Sequence, residues 1–217
     1  MSPMDRVIGE SARLAQGFII LFCSYALGSF ITGYYLVRWR TGTDIRQLGS
    51  GSVDAKNVGR FLGRCGFMAT ALADFVKGAL AVWATLRVAK NDQLAVIAMI
   101  AAVMGHIWPM QLGLRSGKGV VTSLGAILIL DFRLALVFLG LFLIAFVLLR
   151  RTVWSGFLAF ALLPPASLFL GPGAWPLAGV SVLVAMILIA HRENVFPGVA
   201  AQSACRSVPF DSTQLPR

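Results

Sequence analysis

Charge is scarce in this chain of 217 residues: only 13% are Asp, Glu, Lys or Arg, nine of them acidic, and there are two histidines and three cysteines. So few charged residues exclude a disordered segment and an ordinary soluble domain, where about a quarter of the residues carry charge. Cys23, Cys65 and Cys205 stand singly, with no CxxC or Cys/His spacing. That excludes a zinc site and a disulfide framework, and core packing is the expected role of the first two. The basic residues give a net charge of +10, but they sit in short stretches between apolar runs rather than on an arm or one helix face. Nucleic acid is therefore not an expected partner; membrane orientation, anionic lipid and anionic substrates are.

In place of charge there is apolar length. Hydrophobic residues make up 58% of the chain and the mean hydropathy is +0.80. A bilayer core about 30 Å thick needs roughly 20 apolar residues per helix, so the pattern predicts an all-α, polytopic membrane protein of about seven transmembrane helices with short loops. Apolar windows fall at 17–37, 66–86, 93–110, 120–131, 133–149, 153–170 and 174–191. The fourth is short, so it either begins inside the loop before it or crosses only part of the membrane. Pro164 and Pro165 are expected to interrupt the sixth. Residues 1–195 read as one transmembrane domain with a retained first span, and 196–217 as a weakly ordered tail. If all seven segments cross, thirteen of the nineteen Lys and Arg residues share one side, including Arg46, Lys56, Arg60, Arg115, Lys118, Arg150, Arg151 and Arg192. By the positive-inside rule that side is cytoplasmic.

Three polar islands then fall on the same side. In the first, residues 111–122, Arg115, Ser116, Gly117, Lys118, Gly119 and Thr122 lead into an apolar helix. Glycines flanking Lys118 let backbone N–H groups approach an anion, and the start of a helix adds free donors and partial positive charge. The spacing GxxxGK followed by glycine differs from a Walker A loop. The second island, 49–60, offers hydroxyls at Ser50 and Ser52, the amide of Asn57, and Arg60, which can grip a phosphate with two parallel bonds. In the third, His191, Arg192, Glu193 and Asn194 end the last apolar run. Each island has a plain alternative: a glycine turn with a snorkelling lysine, a small-residue connector, and a histidine capping a helix end. Asp74 and Lys77, three apart within the second span, either brace the site or neutralise each other, and His106 reads as a hydrogen-bonded packing residue. Taken alone, these features leave open an enzyme, a non-catalytic membrane paralogue that binds acyl or lipid phosphates, and an anion transporter.

In this order the islands resemble the acyl-phosphate-dependent glycerol-3-phosphate acyltransferases of bacterial membranes, the PlsY family. The resemblance runs from about Ala26 to Asn194. It is carried by DIRQLGSG at 44–51, GSGSVDAKN with Arg60, DxxKG at 74–78, GHIWP at 105–109, SGKGVVT at 116–122 and HREN at 191–194. Where the family's first motif has Asn, Gly and Thr, this chain has Ser52, Asp54 and Lys56. The resemblance implies transfer of a fatty acyl group from acyl phosphate to the 1-hydroxyl of glycerol 3-phosphate, giving lysophosphatidic acid and phosphate, with no metal or cofactor. Ser116, Gly117, Lys118, Gly119 and Thr122 would hold the acyl phosphate. Ser50, Arg60, His191 and Asn194 would bind glycerol 3-phosphate, and Lys118, Ser50 and His191 would be the catalytic set. It also implies the cytoplasmic (inner) membrane of a bacterium, a site on the cytoplasmic face, and the soluble enzyme that makes acyl phosphate as a partner.

Overall fold

The computed structural model describes residues 3–171 and 174–192, and all the regular structure in them is helical. The helices are α1 (Pro3–Ser29), α2 (Thr32–Thr41), α3 (Ala55–Ala89), α4 (Asp92–Ile107), α5 (Val120–Leu130), α6 (Phe132–Leu149), α7 (Thr152–Leu170) and α8 (Ala174–Ala190), with short 3-10 turns at Ile45–Gln47 and Met110–Leu112. The expected tail lies outside the described residues, as do Cys205, Glu193 and Asn194. Five segments are long and apolar enough to cross a membrane, the first of them α1 and α2 together; α5 and α8 are shorter apolar helices.

Local chemistry sets most boundaries. Lys90, with φ 47°, closes α3 in the left-handed conformation, and the Asn91 side chain then accepts from the Gln93 and Leu94 N–H groups to start α4. Asp131 ends α5 and caps α6 by accepting from Arg133 N at 2.9 Å. Its carboxyl is held below the usual range, chiefly by the Arg133 side chain. At 11 residues, α5 is about 16 Å long, about half the thickness of a bilayer core, and so is short for a full crossing by itself.

Three features depart from expectation. The first span is broken at Phe30 and Ile31, so it becomes α1 and α2. The second begins eleven residues earlier than its apolar window, because residues 55–62 form a helical turn set off from the span by Gly63, at φ 69° and ψ −164°, a region essentially reserved for glycine. The sixth span is not interrupted: α7 runs through Pro164 and Pro165, and Ser167 Oγ donates to the Pro164 carbonyl at 2.6 Å. A packed membrane helix can carry prolines, and here the packing of α7 against α6 and α8 holds it through them. Cys23 and Cys65 are exposed rather than in the core, on faces where lipid receives a small apolar side chain as readily as protein does.

The core lies among α3, α4, α5, α6, α7 and α8, around Met99, Ile127, Leu134, Phe160, Leu183 and Ile187. Small residues bring the helices together. A Cβ on Gly28 or Gly105 would overlap backbone across the α1–α4 contact, and one on Gly78 or Gly125 would do so across α3–α5. Membrane helices gain van der Waals contact by such close approach, since lipid offers no hydrophobic drive between them. Replacing Gly125 by Val should therefore force α5 off the Phe75 carbonyl and lower stability by about 1–3 kcal/mol. Gly140→Ala, where a Cβ meets nothing, should leave the melting temperature in detergent unchanged; equal melting of the two variants would refute this packing account.

Candidate functional site

The beginnings of α3, α5 and α7 and the end of α8 meet around a cavity of about 370 Å³. Its polar end is formed by Asp54, Lys56, Lys118 and His191, and Asp74 and His106 also line it. Val121, Leu124, Phe138, Phe142 and Phe160 make its apolar body. The segments after the first, third, fifth and seventh spans thus come together, as the seven-crossing topology requires. A re-entrant fourth segment would have put His191 and Lys118 on opposite faces.

The 111–122 loop is tied down before it reaches the cavity. Tyr25 of α1 donates its hydroxyl proton to Trp108 O at 2.8 Å and accepts from Met110 N at 3.2 Å. The Gln111 amide donates to Ser29 O. Arg46 straddles the Asp44 carboxylate, lies 5.4 Å from the Tyr34 ring centre, and donates through Nη1 to Leu112 O at 2.8 Å. Bonding to Arg46 keeps the Asp44 carboxyl below its usual range. Gly117 then passes so close to His106 Nε2 that any Cβ would strike the imidazole. Gly119, at φ 78°, turns the chain into α5 with no side-chain cap. The first N–H groups of α5 are thereby left to serve an anion. Lys118 is half-buried beside them, and among the described residues it makes no ion pair. Thr122 is fully buried with its hydroxyl unpartnered among them, and Ser116 Oγ is unpartnered too.

The 49–60 island is organised by Asn57, which is 1% exposed. Its amide donates to Leu48 O at 3.0 Å and Ser52 O at 2.8 Å, and its oxygen accepts from Ser50 N at 3.1 Å. Asp54 starts α3 by accepting the Asn57 N–H at 2.9 Å, so its carboxylate serves a helix cap. The side chains of Ser50 and Arg60 are exposed and do not line the cavity. Sequence reading overlooked Arg46, Tyr25, Gln111 and the capping role of Asp54. Only the last left a local signal, Asp followed three residues on by Asn at a helix start; the others act across more than 60 residues of chain.

His191 donates from Nδ1 to the Ile187 carbonyl at 2.9 Å and sits edge-on to Phe157, ring centres 4.7 Å apart. With Nδ1 so engaged, Nε2 is the acceptor. Burial holds this imidazole below its ordinary pKa, the Ile187 carbonyl opposing and the Lys118 charge adding to the effect. Asn194 lies outside the described residues. Among those described, no group of three His, Cys, Asp or Glu residues could hold a metal.

The family model described as glycerol-3-phosphate acyltransferase matches residues 18–197. The chain is 41% identical over 190 residues to glycerol-3-phosphate acyltransferase 1 of Desulfitobacterium hafniense (strain Y51), covering 88% of this chain and 94% of that protein. It is 40% identical over 183 residues to glycerol-3-phosphate acyltransferase of Synechococcus sp. (strain CC9902), covering 84% and 91%. Among solved structures it is similar to PlsY (YgiH), an integral membrane glycerol 3-phosphate acyltransferase. The glycerol 3-phosphate form has a TM-score of 0.76 at 26% identity, with 91% of this chain and 96% of that chain covered; the lysophosphatidic acid form has 0.74 at 25%.

Because the folded state favours neutral His191, its stabilising contribution is whole above about pH 6.5, where the unfolded imidazole is also neutral. It is lost as pH falls through the lower folded value. Between pH 7.5 and 5.5 the melting temperature should drop, and drop less in His191→Gln; equal drops would show that another group carries the effect.

Proposed function

The chain belongs to the glycerol-3-phosphate acyltransferase family, and from that membership we propose how its residues divide the work. It is a multi-pass membrane acyltransferase that acylates glycerol 3-phosphate in phospholipid synthesis. The finer reading is that acyl phosphate is the donor. What carries it is the cavity itself, an apolar body suited to a fatty chain whose polar end holds Lys118, the uncapped start of α5 and His191. A donor of this shape, all tail with one compact anion, fits that division of surface.

In this reading the phosphate of the donor lies against Ser116, Gly117, Lys118, Gly119 and Thr122. The two hydroxyls there lack partners among the described residues, so each has a proton to donate to a phosphate oxygen. Glycerol 3-phosphate enters from the open side, where Ser50 and Arg60 are exposed, and Arg60 grips its phosphate. His191 Nε2 accepts the 1-hydroxyl proton in a hydrogen bond and so aims the oxygen; Asn194, outside the described residues, is assigned to the same substrate. The hydroxyl oxygen attacks the acyl carbonyl carbon, and the bond from that carbon to the phosphate oxygen breaks. The hydroxyl proton leaves with the departing phosphate, giving lysophosphatidic acid and inorganic phosphate. Lys118 and the α5 N–H groups stabilise the charge gathering on that phosphate, so positioning and fixed electrostatics supply the rate. The excess of Lys and Arg on this side supports a cytoplasmic-facing site in a bacterial inner membrane, within reach of a soluble enzyme that makes acyl phosphate. Residues 1–195 would form the working domain.

The test is phosphate release by the purified protein from palmitoyl phosphate, with and without glycerol 3-phosphate. Acceptor-dependent release should fall about 100-fold in Lys118→Ala, the scale seen when one fixed donor to developing charge is removed. Undiminished release would sink the assignment of Lys118, and turnover of palmitoyl-coenzyme A without turnover of palmitoyl phosphate would sink the donor. Asp54→Gly should not raise activity, since Asp54, though it lines the cavity, starts α3 by accepting the Asn57 N–H, and its loss would loosen that start.

A further inference from the structure

Beneath the phosphate loop lies a charged cluster that the reaction as described does not use. Asp74 and Lys77 on α3 form an ion pair, Oδ1 to Nζ 2.9 Å, with each side chain 5% exposed. The same ammonium donates to Phe30 O at 2.9 Å, the carbonyl at the break between α1 and α2. His106 on α4 is buried with Nδ1 3.6 Å from the same Asp74 oxygen, too far for a hydrogen bond and with no hydrogen-bond partner among the described residues, and its Nε2 edge is the surface on which Gly117 rests. Asp74 and His106 both line the cavity.

A pair of charges at this depth costs desolvation energy, and a well-packed apolar pair of like volume often serves a fold as well or better. The pair therefore needs a reason besides stability, and its contacts supply one. It joins the α1 break, α3 and α4 at one point, and that point carries the imidazole that sets the height of the loop. A rotation of the His106 ring would move Gly117, and with it Lys118 and the first N–H groups of α5, relative to the cavity. We propose that Asp74, Lys77 and His106 are positioning residues, a fixed seat that sets where the loop at Ser116–Gly119 presents its cation and N–H groups to the donor's phosphate. The Asp74 carboxylate stands against the imidazole, Lys77 fixes Asp74 against the backbone of the broken span, and Gly117 lies on the imidazole because nothing larger than hydrogen fits there.

The inference rests on the assignment of this loop to the acyl phosphate, and the experiment separates the two. Two variants probe the seat in the full-length protein. His106→Asn keeps a donor near the Nδ1 position but removes the ring under Gly117. The double variant Asp74→Asn/Lys77→Gln keeps hydrogen-bonding groups of similar size, including one able to reach Phe30 O, but removes both charges. KM is measured for palmitoyl phosphate at saturating glycerol 3-phosphate and the reverse, alongside melting temperature. The expected result is a rise in KM for palmitoyl phosphate, about tenfold in His106→Asn and about threefold in the double variant, from a loop displaced by a fraction of an ångström. KM for glycerol 3-phosphate should stay within about twofold. A parallel change in both KM values, or lower melting with both KM values unchanged, overturns the inference in favour of a purely structural role. Should His106→Asn fail to fold, the double variant decides by the same readings. Lys118→Ala is measured beside them. If it too leaves KM for palmitoyl phosphate unchanged, the loop assignment is what has failed; if it raises that KM while the seat variants do not, only the seat has failed.

Discussion

A backbone carbonyl freed inside a bilayer has no water to turn to, and much of this architecture follows from how one such group is satisfied. The first span breaks at Phe30 and Ile31, and the Lys77 ammonium bonds the Phe30 carbonyl. An ammonium at that depth requires a counterion, which Asp74 provides one helical turn away on the same helix. The broken first span and the buried ion pair on α3 are thus linked through one backbone carbonyl. Around them α1 packs on α4 and α3 on α5 through glycines, so that little slack remains between the helices.

The loops that carry the reactive groups are held by bonds from side chain to backbone together with a buried apolar cluster of Ile31, Val37, Ile45, Val53, Val58 and Leu112. Arg46 reaches Leu112, Tyr25 reaches Trp108 and Met110, and Asn57 gathers Leu48, Ser50 and Ser52. Each tie uses a donor or acceptor of fixed geometry, so each fixes direction as well as distance. The cations left over, Lys56 and Lys118, are among those that line the cavity.

How far the molecule could be read from its sequence depends on the range of the interaction. The spans were legible because burial in lipid demands long apolar runs, and the SGKG loop was legible because glycine on both sides of lysine before an apolar helix has few other uses. Lys118 and His191 accordingly line the cavity. Features that depend on a partner far along the chain were hidden: the break at Phe30 is stabilised by a residue 47 positions away, and Arg46 finds its role 66 positions on. The turn before Gly63 was hidden because residues 55–62 carry too many polar groups for a hydropathy window to include. The two prolines of α7 misled because packing against α6 and α8, which no local pattern records, holds the helix through them. Asn194, with Glu193 and the tail, lies outside the described residues.

The shortness of α5 has a wider meaning. A helix of 11 residues reaching in from the far surface ends near the middle of the bilayer. The cavity opens at the start of that short helix, and its Phe138, Phe142 and Phe160 lining is as apolar as a lipid tail. On α6, Leu143, Ile144 and Val147 are exposed, an apolar surface suited to lipid. A fatty chain seated in this cavity is already in the phase where its product belongs, so release becomes sideways diffusion in two dimensions, and only the small hydrophilic participants need travel to and from water.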